Sequence, residues 1–117
     1  MEEIKFEKFK LENGTFWAWW PNIKPGSIGK ELAILFAADI TIQVTGTFDG
    51  ASLSIEGSND SENWFQLNTY PEKPAFFITA GLRKIIESPV YIRPVMAMSA
   101  SKESNLLVVI SCKGSTS

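Results

Sequence analysis

The sequence predicts an all-β protein: a single antiparallel β-sandwich or jelly roll of about eight short strands. Three observations predict it. Apolar and polar residues alternate at period two through most of the chain, as strands with one buried face require. Turn dipeptides, Asn13-Gly14 and Asp49-Gly50 foremost, divide these runs at regular intervals. The run Leu106–Cys112 is apolar in both phases, the pattern of a strand in the middle of a sheet with both faces covered.

The chain of 117 residues suits one domain, residues 1–117, and a globule of this size buries roughly two-thirds of the surface its unfolded chain exposes. It opens with a hairpin over residues 1–20. Ile4 and Phe6, then Phe9 and Leu11, alternate in phases that differ by one residue, which predicts a bulge near Glu7 or Lys8. A turn at Gly14 sets Leu11 opposite Phe16 and Phe9 opposite Ala18. Trp17 and Trp19 then share the second face with Lys10 and Lys8.

Pro21 to Gly29 reads as a loop, and it contains Ile23. The segment 30–38 fits a helical stripe and a strand alike, and its strand neighbours favour the strand. From Asp39 the signals are clearest. Ile40, Ile42, Val44 and Phe48 alternate with Thr41, Gln43, Thr45 and Thr47, and Asp49-Gly50 suits a type I′ turn. In the expected hairpin Phe48 faces Ala51, Gly46 faces Leu53 and Val44 faces Ile55.

The stretch Gly57 to Asn63 is rich in turn formers, with Asn59 and Asp60 at its centre. Its spacing lacks the full oxygen-ligand pattern of a calcium loop, so no metal is assigned. A strand from Trp64 to Asn68, a loop at Tyr70–Pro74 and a strand at Ala75–Thr79 follow. Residues 80–87 suggest an irregular or helical turn. Val90–Met98 is extended, and Pro94 marks it as an edge strand or one that pairs on one side of that residue only. Residues 113–117 read as a flexible tail.

Composition narrows function. Histidine is absent, which removes the commonest general base and metal ligand, and the 13 Asp and Glu are scattered. No catalytic, cofactor-binding or metal-binding residue is expected, and the chain reads as a protein that is not an enzyme. A net charge of -2 offers no footprint for nucleic acid. No apolar run approaches the roughly 20 residues that span a bilayer, so no membrane partner is expected. Cys112, the single cysteine, reads as a small buried side chain.

The run GTFDGASLSIEGSNDSENWFQL, followed by ITAGLRKIIESPVYIRP and the last apolar strand, resembles small virion proteins of tailed bacteriophages built as β-sandwiches. The resemblance spans residues 39–112. The segment EGSNDSENW also resembles a hairpin of discoidin-like sandwiches, in which Trp64 would be a core anchor. The phage resemblance implies a capsid decoration or cement protein that braces neighbouring major capsid subunits or binds other virion proteins. It implies a homo-oligomer, a trimer before other states, in a virion assembled in the bacterial cytoplasm. The alternatives are a carbohydrate-binding module and a tail or head-completion accessory protein. Residues expected to meet a partner are Trp17, Trp19, Lys8, Lys10, Ile23 and Tyr70; Gly14, Gly50, Asn59, Asp60 and Trp64 are expected to serve structure.

Overall fold

The computed structural model describes residues 2–5, 8–12, 14–34, 37–98 and 103–114. These form strands β1 (Glu2–Ile4), β2 (Lys8–Glu12), β3 (Thr15–Ile23), β4 (Ser27–Gly29), β5 (Leu32–Ala33), β6 (Ala37–Thr47) and β7 (Leu53–Ser58). There follow β8 (Phe65–Gln66), β9 (Asn68–Thr69), β10 (Lys73–Pro74), β11 (Phe76–Phe77), β12 (Gly81–Lys84), β13 (Tyr91–Met96) and β14 (Asn105–Gly114). The described residues contain no helix. The fold is all-β, and the segment 30–38 is extended where it is described: Leu32 and Ile34 are buried, Ala33 is exposed, and the Ile34 N–H donates to the Val90 carbonyl.

Two large sheets pack face to face, and β9 and β10 pair as a separate two-stranded sheet. One has five strands in the order β12-β6-β14-β3-β2; the other runs β1-β4-β13-β7-β11, with β5 added beside β13 and β8 beside β7. Among the described residues all strand pairings are antiparallel except β1 with β4, which is parallel. Alternation aims Ala18, Trp20, Ile40, Ile42, Val44, Leu106, Val108 and Ile110 inward from the first sheet. Leu53, Ile55, Ile92 and Met96 meet them from the second. Trp20, fully buried, satisfies its indole N–H on the Lys30 carbonyl at 2.9 Å.

The first hairpin has the expected register: Phe9 pairs with Ala18, Leu11 with Phe16, Lys8 with Trp19 and Lys10 with Trp17. It begins at Lys8. Residues 2–4 belong to the other sheet, so the chain changes sheets where a bulge was expected, and Phe6 and Glu7 lie outside the described residues.

The Asp49-Gly50 turn forms with positive φ at both residues, 43° and 84°, and closes with a 2.8 Å bond from the Ala51 N–H to the Phe48 carbonyl. The strands it joins do not pair. β6 lies in the five-stranded sheet between β12 and β14, and β7 lies in the other sheet. The Ser104 hydroxyl donates to the Phe48 carbonyl, and Thr47 pairs with Asn105, so the end of β6 is held to β14 and the turn becomes a crossing between layers.

Pro94 does not mark an edge. β13 is an inner strand, paired with β7 along its length. On its other side it pairs with β5 at Tyr91 and Ile92, then with β4 at Val95. Pro94 falls where one partner gives way to the other, the second of the two arrangements a strand proline allows. Two further expectations change. Residues 81–84 are a strand on the edge of β6, and Lys113 and Gly114 continue β14 instead of starting a tail; residues 115–117 lie outside the described residues.

Candidate functional site

The outer face of the five-stranded sheet carries both tryptophans expected to meet a partner. Register alone places Lys8, Trp19, Val109, Gln43 and Leu82 in one row across all five strands. The next row is Lys10, Trp17, Ser111, Thr41 and Lys84. Leu107 and Thr45 form a third. At about 4.8 Å between strands, Trp19 and Leu82 stand about 14 Å apart. Trp17, Trp19, Leu107 and Val109 are half-buried, while Leu82 is 65% exposed.

Tyr70 joins the far end of this face. Its ring, 56% exposed, lies 5.6 Å from the Lys84 ammonium, which also pairs with Asp39 at 3.1 Å. Thus Trp17, Trp19 and Tyr70 belong to one face with the register positions of Lys8 and Lys10. Ile23 does not. It is wholly buried, because Pro21 and Asn22 form a bulge opposite β14 and Asn22 takes a positive φ of 56°. The extra residue shifts the phase of β3, so Ile23 follows Trp20 into the core.

Leu107, Val109 and Leu82 were absent from the sequence expectation. The signal for the first two was present: β14 is apolar in both phases, and only its inner phase is fully buried within the chain.

The residues expected to serve structure lie in the β2–β3 turn, in the crossing from β6 to β7, and in the loop that follows β7. Gly14 and Gly50 hold positive φ of 75° and 84°. Asn59 accepts the Val90 N–H at 3.1 Å through its side-chain oxygen. Asp60 is the hub of its loop: its carboxylate accepts the Asn63 N–H and the Asn63 side-chain amide, both at 2.8 Å, then the Glu62 N–H and the Ser58 hydroxyl, both at 2.9 Å. Those bonds hold its carboxyl well below the usual range. Trp64 is not a core anchor. It is half-buried, and the Arg93 guanidinium lies over its ring at 3.9 Å while bonding Glu56 through two nitrogens at 2.9 and 3.0 Å. Leu67 is the residue of that segment that enters the core.

Cys112 is 1% exposed, and burial pushes its thiol up to about 12. Such a thiol is not a nucleophile at neutral pH.

No family model matches the chain, and no curated protein matches it. Among solved structures it is similar to the SPBc2 prophage-derived protein YomS, with a TM-score of 0.60 at 6% sequence identity, over 88% of this chain and 97% of that one. The two share a fold, one that a prophage-derived protein uses.

Proposed function

We propose that this chain is a non-enzymatic structural protein of a phage particle that binds other virion proteins through the outer face of its five-stranded sheet. The observation that carries the reading is β14, whose outward residues Leu107 and Val109 are apolar yet only half-buried, beside Trp17 and Trp19. An apolar centre with aromatic anchors and a polar rim is the composition of a protein interface. The fold shared with a prophage-derived protein supports the phage context.

The preferred role is a decoration or cement protein on the major capsid protein; a tail or head-completion component would use the same surface on a different partner. Area argues for several contacts. Five strands by five residues project about 24 by about 17 Å, on the order of 400 Å². That is about half of what one partner contributes to a stable interface. The Tyr70–Pro74 loop or additional copies must supply the rest, which favours a homo-oligomer, a trimer before other states. Bound only to the assembled shell, the protein stabilises that state by mass action.

Co-sedimentation with purified shells tests the reading. Wild-type protein should pellet with the shells and raise their disassembly temperature, and Trp19→Ser with Val109→Ser should do neither. A folded wild-type protein that stays in the supernatant and leaves shell stability unchanged would overturn it.

A further inference from the structure

An open groove with a volume of about 460 Å³ lies beside the other sheet, between the Ser58–Asn63 loop, β8 and residues 87–89. Its volume falls within the range of small-ligand sites. Leu67 and Pro89 form an apolar floor over Gly57, where a β-carbon would stand 2.7 Å from each of them. Phe65 is the aromatic wall, 70% exposed although it sits on a strand paired to β7.

The rim is polar and partly uncommitted. Asn59 uses its oxygen on Val90, which leaves its amide N–H groups; Asn63 uses its amide on Asp60, which leaves its oxygen. Gln66 donates to Ser54 and keeps its oxygen. One amide donor and two amide acceptors therefore remain on the rim of an apolar floor. Each is held in place by a bond on its other end, so little ordering remains for a ligand to impose.

Charge selects the ligand. Among the described residues no lysine or arginine lines the groove, and the carboxylates of Asp60 and Glu87 do, both held ionised by hydrogen bonds. Anionic ligands are repelled. A basic side chain would suit the carboxylates and the Phe65 ring, but it carries donors alone, so the exposed Asn59 amide would stay on water and take no part in recognition. A hydroxyl both donates and accepts, and a sugar ring also presents a C–H face to an aromatic wall.

We propose that this groove binds a neutral saccharide, with Phe65 stacking on the ring and Asn59, Asn63 and Gln66 reading its hydroxyls. The site is separate from the sheet face proposed above and does not depend on it. One ring in an open groove binds weakly, with a dissociation constant on the order of millimolar.

Saturation-transfer NMR of the full chain with glucose, galactose, mannose and N-acetylglucosamine, and with N-acetyl-arginine amide as a cationic probe, tests it. Transfer to at least one sugar is expected, with amide shifts at Asn63, Phe65 and Gln66. Phe65→Ala, an exposed substitution, should weaken that binding about threefold to tenfold, and Trp19→Ser should leave it unchanged. No transfer to any of the sugars, transfer only to the arginine probe, binding unaffected by Phe65→Ala, or binding lost in Trp19→Ser would each overturn the proposal.

Discussion

Gly46 lies against Asn105 so closely that a β-carbon on it would overlap the Asn105 carbonyl oxygen, and its φ is 122°. This contact, with Ser104 bonded to Phe48, holds the end of β6 on β14 and carries the chain across to the other sheet. Gly46→Ala must strain the backbone and push β14 away, and should cost on the order of 2 to 4 kcal/mol in urea unfolding. Gly50→Ala has open space around its β-carbon and only the positive φ to bear, so about 1 kcal/mol is expected. Equal losses would contradict this account.

Arg93 sits between Trp64 and Glu56, and its side chain is 21% exposed. A double-mutant cycle of Arg93→Ala with Trp64→Ala should give a coupling of about 1 kcal/mol, the scale of a partly desolvated cation–π pair. Arg93→Lys should recover less than half of it, since a lysine cannot stack and bond Glu56 through two nitrogens together. A coupling near zero would show that the stack is incidental.

Asp60 makes stability depend on acid. Its folded pKa lies below the unfolded value of about 3.9, so its contribution is complete above that value and is lost as pH falls through the folded pKa. Glu87 acts in the same direction: burial pushes its carboxyl up, but the Asn68 N–H at 2.8 Å and side-chain amide at 2.7 Å outweigh it. Asp60→Asn should lower the urea midpoint at about pH 7 and differ less from wild type at about pH 3. A gap that is constant with pH would refute the assignment.

Cys112 provides a probe of opening. Native protein should react negligibly with a thiol reagent, and the labelling rate should rise with denaturant along the global unfolding curve. Cys112→Ser buries a hydroxyl in the core and should cost about 1 to 3 kcal/mol, more than Cys112→Ala loses in polarity though not in volume. Rapid labelling without denaturant would mean that β14 frays.

Period-two alternation made the inward residues of β6 and β7 legible, and turn chemistry with alternation set the register of the first hairpin. Both signals are local. What Asp49-Gly50 could not reveal is which sheet each flanking strand joins, because that depends on Gly46 meeting Asn105, a residue far along the chain. Ile23 was misplaced for a similar reason: a one-residue bulge at Pro21-Asn22 inverts the phase, and its cause is the pairing with β14. Trp64 was expected in the core only through the discoidin-like resemblance of its hairpin, but its ring is occupied by Arg93, a residue with no sequence proximity. The sheet face was half legible. Trp17 and Trp19 stood out, whereas Leu107, Val109 and Leu82 joined them only once three non-adjacent strands were aligned.

The middle strand of the five-stranded sheet, β14, comes from residues 105–114, while its neighbours β3 and β6 come from residues 15–23 and 37–47. A ribosome therefore releases both flanks long before the strand that joins them. Until then the nascent chain holds two open edges facing a vacancy, the arrangement most exposed to mispairing with other chains. Pairings this distant in sequence also slow folding. A chain cut short before residue 105 would lack the centre of its sheet, so loss of β14 should be as damaging as loss of the first hairpin.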